Sequence, residues 1–317
     1  MRAEPGTGSA ASIMPASTLH LFSICVAIWG STWFAITLQL GTVAPEMSVG
    51  YRFLLASMVL FVYARRRGLR LAFGIKQHAD FALLGTLLFC ISYIFVYHAE
   101  EYVVSGMVAV AYSTSPMITM LAARMLFGTP MTWRVAIAAL FGIAGIFCVF
   151  WPEFGRVSVS RNGELGALLT VLSVLASTAG SMAAVRCQNR GYNTWTSMAW
   201  GMLYGGVMAL AIGAAMGNQI AFALTPGYVL SLLYLSLFGS IITFACYLPL
   251  IARVGVAAAG YVGVMVPVVA LAISYFLEKF AWNMLITAGV ALCIFGNVVI
   301  LRKPRAPAGA GGEGAAG

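Results

Sequence analysis

The apolar residues of this chain fall into long continuous runs, and short segments carrying most of the charged residues separate them. Each run has about the 20 residues that an α-helix needs to cross a hydrocarbon core of ~30 Å. A membrane-spanning barrel would instead show shorter segments of alternating polarity. The pattern predicts ten membrane-spanning helices, at residues 19–39, 46–64, 79–98, 103–126, 134–151, 164–186, 196–215, 228–250, 256–277 and 283–301.

The second half of the chain repeats the pattern of the first half. Pro116 and Pro267 stand at equivalent positions in two apolar runs, and Gly145 and Gly296 do so in the runs that follow. A repeat of this length is too long for a solenoid and indicates two homologous halves. Five helices per half is an odd number, so the second half enters the membrane from the opposite side. The sequence therefore predicts an all-α membrane protein of two inverted five-helix repeats, as in many secondary transporters.

The predicted domain boundaries follow from these runs. The first repeat is expected at residues 19–151 and the second at residues 164–301. Residues 1–18 and 302–317 are poor in large apolar side chains and are predicted to be disordered. No short apolar segment with a cleavage site precedes the first span, so this span is expected to remain uncleaved.

Composition supports a hydrocarbon environment. The chain of 317 residues is 61% hydrophobic and 9% charged, whereas about a quarter of a soluble domain is charged. The formal net charge of +9 does not indicate a nucleic-acid partner, because the 18 Lys and Arg residues are spread over many loops. Most of them fall on one side of the predicted membrane. By the positive-inside rule, both termini are predicted to be cytoplasmic.

Residue patterns for catalysis or metal binding do not stand out in this sequence. The six cysteines occur singly, without a CxxC or Cys/His cluster, and the three histidines are scattered. Motifs such as HExxH and GxSxG are missing from the sequence. The sequence therefore predicts no metal site, no cofactor, no disulfide framework and no enzymatic activity.

A series of short motifs resembles the EamA family of the drug/metabolite transporter superfamily. The motifs are Trp29-Gly30-Ser31-Thr32, Pro45 with Arg52-Phe53, Ser105-Gly106 leading to Ser115-Pro116, Tyr234-Leu235 with Ser240, and Pro267 with Glu278-Lys279. Their order and spacing cover roughly residues 19–301. One departure is Phe127-Gly128-Thr129-Pro130, where the family often has a Glu. The resemblance implies a ten-helix permease of the bacterial inner membrane with a small-molecule substrate and the lipid bilayer as partners.

Arg52 is a charged residue inside the second predicted span, ~9 Å from its outer end along the helix. A charge at this depth costs a few kcal/mol unless it is paired or hydrated, so it is a functional hypothesis by default. Its guanidinium group suits the carboxylate of a substrate. It also suits a structural role, snorkelling outward or paired with Glu46, Glu100 or Glu101 at the same membrane face, and the sequence leaves both interpretations open.

A central cavity is predicted between the helices that contain the two matched prolines. Pro116 and Pro267 remove backbone hydrogen bonds and kink their helices, although such kinks can also serve only to shape the bundle. The predicted substrate-binding residues are Trp29, Ser31, Arg52, Tyr93, Tyr97, Tyr112, Ser115, Ser181, Tyr247 and Tyr261. Helix packing alone would also explain the small residues beside Trp29. Hydroxyl groups on one wall and apolar side chains on the other favour an amphipathic solute over a sugar.

The coupling of transport to an ion gradient remains open from the sequence. No Asp or Glu lies in the middle of a predicted span, where proton exchange on a buried carboxylate would place one. His98 can carry a proton near physiological pH, although a histidine at a helix end can also be an interfacial polar residue. The sequence favours facilitated or weakly coupled transport.

The interpretation that unites these features is export of amino acids or related amphipathic compounds by alternating access. The alternative is an importer or exchanger of another solute class, such as a nucleoside derivative or a drug-like compound. Gly201-xxx-Gly205 indicates close helix packing, either within one chain or between two. The protein is accordingly expected to be a monomer or a weak homodimer.

Overall fold

The computed structural model describes residues 16–127, 133–155, 162–280 and 282–301. These residues form the α-helices α1 (Ala16–Thr37), α2 (Pro45–Arg66), α3 (Ile75–Leu84), α4 (Ser92–Glu100), α5 (Ser105–Tyr112), α6 (Ser115–Phe127), α7 (Trp133–Gly155), α8 (Asn162–Asn189), α9 (Thr194–Ala215), α10 (Pro226–Leu233), α11 (Thr243–Ala259), α12 (Tyr261–Leu277) and α13 (Met284–Leu301). Two π-helical segments, Gly85–Ile91 and Tyr234–Ile242, connect α3 to α4 and α10 to α11. The described ranges contain no β-strand, which confirms the all-α class.

Parts of the sequence prediction fall outside the described residues. The predicted disordered tail, residues 302–317, lies outside them entirely, and so do residues 1–15 of the predicted disordered N-terminus. The last three residues of that N-terminal segment, 16–18, already belong to α1. The departure from the family pattern at Gly128-Thr129-Pro130 also lies outside the described residues.

Six helical stretches of the described chain are long and apolar enough to cross a membrane. They are Ser17–Thr37, Pro45–Arg66, Ile75–Glu100, Gly163–Asn189, Thr194–Ala215 and Pro226–Val254. Three shorter apolar helices are Ala136–Pro152, Tyr261–Leu277 and Met284–Val299. These stretches coincide with predicted spans, because the same long apolar runs predict the spans and form the helices. The protein is a multi-pass membrane protein, and the count of ten spans stays a prediction.

The predicted fourth span, residues 103–126, is not one continuous helix. Helix α5 ends at Tyr112, and α6 begins at Ser115 with Pro116 as its second residue. Within a helix, the Pro116 ring would clash with the carbonyl group of Tyr112, whereas proline is well tolerated in a first turn. The hydroxyl groups of Ser113 and Thr114 donate hydrogen bonds to carbonyl oxygens three residues earlier, at 2.6 and 2.7 Å. Pro267 differs, because α12 continues through it.

The two π-helical segments occupy corresponding places in the two halves. Each lies within the third helical stretch of its half and adds a residue to the helical turn. The Ser240 hydroxyl in the second segment and the Thr243 hydroxyl directly after it donate to carbonyl oxygens five residues earlier, at 3.0 and 2.7 Å. π-Helical segments are frequent at functional sites, and both of these contribute residues to the cavity described below.

The helices of one half pack mainly against helices of the other half. Helix α2 packs on α9, α5 on α12, and α7 on α13. Helix α1 contacts α12 and α11, and its counterpart α8 contacts α6 and α4. When the two halves are exchanged, the contacts of α1 with α12 and α11 therefore correspond to the contacts of α8 with α6 and α4. The core of the molecule lies along this boundary between the two repeats.

Small residues allow the two halves to approach closely. A Cβ atom on Gly85 would lie 2.2 Å from the carbonyl oxygen of Gly201, and one on Gly205 would lie 2.7 Å from the carbonyl oxygen of Gly85. Gly201-xxx-Gly205 therefore packs α9 against the first π-helical segment of the same chain. Of the two alternatives left by the sequence, this motif serves packing within the chain.

Candidate functional site

A cavity of about 440 Å³ lies at the boundary between the two halves. Its volume is within the range of roughly 300–1,000 Å³ that is usual for small-molecule sites. Much of the wall is aromatic and comes from Trp29, Trp33, Tyr93, Tyr112, Phe244 and Tyr247. Hydroxyl groups come from Thr32, Ser113, Ser115, Ser177, Ser181 and Ser240. Among the described residues, no charged side chain lines this cavity.

The Trp29 ring is held in place by groups from the second half of the chain. Its indole nitrogen donates a hydrogen bond to the carbonyl oxygen of Gly239 at 3.2 Å. Its ring centroid lies 5.4 Å from that of Phe244 and 5.1 Å from that of Tyr247. Aromatic pairs at these separations are attractive beyond their buried area. Trp29 thus forms a fixed wall of the cavity at the contact of α1 with α11.

Two of the serine hydroxyls are free to bind a solute. Within the described chain, the Ser115 hydroxyl is buried without a hydrogen-bond partner, and Ser181 makes no hydrogen bond. The hydroxyls of Thr32 and Ser113 already donate to carbonyl oxygens of their own helical turns. An unpaired buried hydroxyl costs about 1–3 kcal/mol, so Ser115 favours a bound group that completes its hydrogen bond.

Eight of the sequence-predicted residues meet in the cavity wall. They are Trp29, Tyr93, Tyr112, Ser115, Pro116, Ser181, Tyr247 and Pro267. Several wall residues were missed, including Trp33, Phe53, Ser177 and Phe244. Helical spacing would have indicated some of them, because Ser177 lies one turn before Ser181 and Phe244 lies three residues before Tyr247. That any of these residues contacts a substrate stays a prediction.

Three other predicted binding residues lie outside the wall. The Ser31 hydroxyl shares a hydrogen bond of 2.7 Å with the Tyr234 hydroxyl. Tyr97 is fully buried and donates to Gln39 Oε1 at 2.8 Å. Tyr261 is half-buried at the beginning of α12. Packing and local hydrogen bonds account for the positions of Ser31 and Tyr97.

Arg52 is also outside the cavity wall and lies directly behind it. The side chain is 2% exposed, and its guanidinium carbon is 4.6 Å from the Tyr93 ring centroid and 5.1 Å from that of Phe53. A Cβ on the wall residue Gly239 would lie 3.6 Å from Arg52 Nη2. The nitrogens Nε and Nη1 have no hydrogen-bond partner among the described residues. Among the described residues, Arg52 does not line the cavity and forms no ion pair with a glutamate, so its contact with a substrate carboxylate stays a prediction.

His98 lies in a polar cluster at the end of the bundle that the sequence predicts to be outer. Its Nε2 is 2.7 Å from Glu46 Oε1, and its Nδ1 is 2.9 Å from Glu101 Oε2. Asn218 Nδ2 donates to Glu46 Oε2 at 3.0 Å. Both imidazole nitrogens therefore face carboxylates, which favours the form with a proton on each nitrogen. The cluster joins α2, α4 and the segment after α9.

Two further carboxylates connect the halves. Glu278 accepts hydrogen bonds from the Ser105 hydroxyl at 2.6 Å and from the Ser105 backbone N–H at 3.2 Å, which joins α12 to α5. Asp80, which is 4% exposed, pairs with Arg186 at 3.1 Å and with Arg190, which joins α3 to α8. The sequence does not indicate either bridge, because the partners are distant along the chain.

Comparison with known proteins agrees with the two-repeat architecture. The model of the EamA-like transporter family matches residues 17–151 and 164–302. The uncharacterized inner membrane transporter YedA of Escherichia coli is 29% identical over 299 residues, which are 90% of this chain and 92% of the relative. Protein PagO of Salmonella typhimurium is 24% identical over 290 residues, which are 90% of this chain and 93% of the relative.

A solved crystal structure is similar in fold. The match covers 90% of this chain and 96% of the other chain, with a TM-score of 0.64 and 16% sequence identity. At this identity the likeness concerns the fold alone. The uncharacterized transporter YoaV of Bacillus subtilis is 22% identical over 276 residues, which are 85% of this chain and 92% of the relative.

Proposed function

Because the chain belongs to the EamA-like transporter family, we propose that it exports amino acids or related small amphipathic compounds through the central cavity. The protein is a multi-pass protein of the bacterial inner membrane, where the relative YedA is an inner membrane transporter. The solute binds between the two halves, and a movement of one half against the other exposes it first to the cytoplasm and then to the outside.

The observation that carries this proposal is the chemistry of the 440 Å³ cavity. Aromatic rings offer apolar contact, and the free hydroxyls of Ser115 and Ser181 offer hydrogen bonds. A solute with an apolar part and a polar part satisfies both kinds of wall. A sugar would need polar partners around most of its hydroxyl groups, and a largely aromatic wall supplies few of them.

The charge of Arg52 adds a preference for the sign of the solute. The guanidinium group lies behind Tyr93 and Gly239 and has no ion-pair partner in the described chain. Its positive potential therefore extends into a cavity whose described lining residues carry no charge. Zwitterionic or anionic solutes are favoured over cations. An amino acid meets this condition with its carboxylate.

The packing of the halves supports inverted repeats and alternating access. Exchange of the halves maps the contact of α1 with α12 onto the contact of α8 with α6. Such a twofold relation is expected when two copies lie antiparallel around a central site. With ten spans, both termini lie on the same side of the membrane, and the distribution of Lys and Arg favours the cytoplasmic side.

The second candidate is an importer or exchanger of a nucleoside derivative or a drug-like compound. The observation that favours it is the aromatic share of the wall, for example the Trp33 and Tyr112 rings, whose centroids are 4.9 Å apart. Planar ligands stack well on such rings. The direction of transport and the solute therefore have to be measured together.

The test is an untargeted analysis of the culture medium from cells that overproduce the protein. The blocking variant is Ser181→Trp, which places an indole in the cavity wall. The matched control is Leu175→Trp on the same helix, where the side chain is 48% exposed on the apolar surface. All three proteins are compared at equal abundance in the membrane.

Export predicts that one or more amino acids or related compounds accumulate in the medium with the parent and with Leu175→Trp, and return to background with Ser181→Trp. Depletion of an added compound from the medium by the same two proteins would instead support the second candidate. Equal media for all three proteins would contradict both candidates.

A further inference from the structure

In the part of the chain that the structure describes, three neighbouring side chains contain most of the buried side-chain polar atoms that lack a hydrogen-bond partner. These atoms are Nε2 of Gln39, Nε and Nη1 of Arg52, and Oε1 and Oε2 of Glu100. The three side chains are 0%, 2% and 7% exposed, respectively. Buried polar groups in folded proteins are normally hydrogen-bonded. Five unpartnered atoms in one region therefore indicate a site that receives an occupant.

Tyr97 connects the members of this group. Its hydroxyl donates to Gln39 Oε1 at 2.8 Å, and its side chain lies beside Arg52. Glu100 follows Tyr97 by three residues on α4, so the two side chains share a helix face. The positive charge of Arg52 attracts the carboxylate of Glu100. We name Gln39, Arg52, Tyr97 and Glu100 the buried cluster.

The chemistry of the buried cluster favours water and a proton as its occupants. An unpaired buried donor or acceptor costs about 1–3 kcal/mol, and an isolated carboxylate costs more. A buried water typically makes about three hydrogen bonds to such groups. A proton on Glu100 removes the buried negative charge. A metal cation is disfavoured, because the guanidinium group of Arg52 would repel it.

We propose that Glu100 is a proton-binding site within a hydrated buried cluster, and that Arg52 links the proton on Glu100 to the solute in the cavity. The link follows from the position of Arg52 between the two groups' influences. Its positive charge attracts the Glu100 carboxylate, and its guanidinium carbon lies 4.6 Å from the ring centroid of Tyr93, a wall residue of the cavity. A change of charge at Glu100 therefore changes the balance of forces on a guanidinium group that supports the cavity wall.

The neighbouring titratable groups already have hydrogen-bond or ion-pair partners. On α4, His98 lies between Glu46 of α2 and Glu101. Glu278, which follows α12 and also acts on Glu100, accepts hydrogen bonds from Ser105.

On α10, Tyr228 faces Tyr97 and shares a hydrogen bond of 3.0 Å with Ser48. Among the charged side chains that face the buried cluster, only Arg52 and Glu100 have buried polar atoms without a hydrogen-bond partner in the described chain. Glu100 is the carboxyl group of this pair and therefore the group that can bind a proton.

The proton site is tested by infrared difference spectroscopy of the full-length protein in lipid vesicles, recorded while the pH is lowered. The parent is compared with Glu100→Gln, and Glu101→Gln is the matched control on the adjacent residue. We expect a carbonyl-stretch band of a protonated carboxyl group in the parent and in Glu101→Gln, and its loss in Glu100→Gln. Glu100→Asp retains a carboxyl group and is expected to restore a band if Glu100→Gln is poorly folded. Retention of the unaltered parent band in Glu100→Gln, or its loss only in Glu101→Gln, would overturn the proposal.

The link to transport rests on the proposed function and is tested separately, with the solute that the culture-medium experiment identifies. In proteoliposomes, a pH gradient is expected to drive accumulation of this solute by the parent. Glu100→Gln is expected to lose this accumulation while it still exchanges labelled for unlabelled solute. Gradient-driven accumulation by Glu100→Gln, or the absence of gradient-driven accumulation by the parent, would overturn the link. If no solute is found, the proposed function fails, and the infrared result still decides the proton site.

Discussion

Replacement of Asp80 by Asn should weaken the contact of α3 with α8 at one end of the bundle. The carboxylate is 4% exposed, and it accepts hydrogen bonds from Arg186 at 3.1 Å, from Arg190, and from the Tyr192 hydroxyl at 3.4 Å. Asparagine keeps the shape and one acceptor, but it removes the negative charge. The two arginines then lose their common counter-ion.

The magnitude follows from the exposure of the partners. A hydrogen bond to a buried charged group contributes about 1.5–3 kcal/mol, whereas an exposed ion pair contributes about 0.2–1 kcal/mol. The side chains of Arg186 and Arg190 are 55% and 42% exposed, so they return to water when the carboxylate is lost. Two partly exposed contacts with one buried acceptor give a total of about 2 kcal/mol.

The assay is thermal inactivation of the purified protein in detergent, followed by the fraction that remains monodisperse. For a chain of this size, about 2 kcal/mol corresponds to a decrease in Tm on the order of 3–5 °C. High salt should change this difference little, because the Asp80 carboxylate is buried. The control is Arg253→Gln, which removes an exposed hydrogen bond to Ser17 and should lower Tm by less than about 1 °C. A Tm of Asp80→Asn equal to that of the parent would refute this reasoning.

Two further predictions concern packing between the halves and the cavity wall. Gly205→Ala places a Cβ 2.7 Å from the Gly85 carbonyl oxygen, so the abundance of this variant in the membrane should fall several-fold. In the control variant Gly227→Ala, the added Cβ meets no atom within 4 Å, and abundance should be unchanged. Equal abundance of the two variants would contradict the close approach of Gly205 to Gly85. Tyr93→Phe keeps the ring over Arg52 and should preserve transport, whereas Tyr93→Leu removes an interaction of about 1–2 kcal/mol and should lose both stability and transport, as measured by Tm and solute efflux.

The positions of the helices could be predicted from the sequence, because long apolar runs determine them. The second span was expected at residues 46–64, and α2 covers Pro45–Arg66. The fourth span illustrates the limit of this signal. The run over residues 103–126 is continuous in hydropathy, but the proline ring and the two hydroxyls before it separate α5 from α6. A proline inside an apolar run can kink, divide or leave a helix continuous, and tertiary packing decides among these outcomes.

The candidate site was predictable only in part. Trp29, Tyr93 and Tyr112 were expected in a cavity, and they lie in its wall. Arg52 was placed correctly within its span, but helical position gives depth and not the direction in which a side chain points. Glu100 was expected at a membrane edge, and it is buried because residues of other helices cover the end of α4. Such burial depends on contacts that are distant along the chain.

The central claim is that a solute crosses the membrane through the cavity by alternating access. A single cysteine at Ser181, in a chain whose six native cysteines have been replaced, is treated with a membrane-impermeant thiol reagent from either side of sealed vesicles. The account predicts labelling of Ser181→Cys from both sides and protection by the transported solute. A cysteine at Leu175, on the apolar surface of the same helix, should not be labelled from either side. Labelling of Ser181→Cys from one side only, or labelling that the solute does not change, would contradict the account.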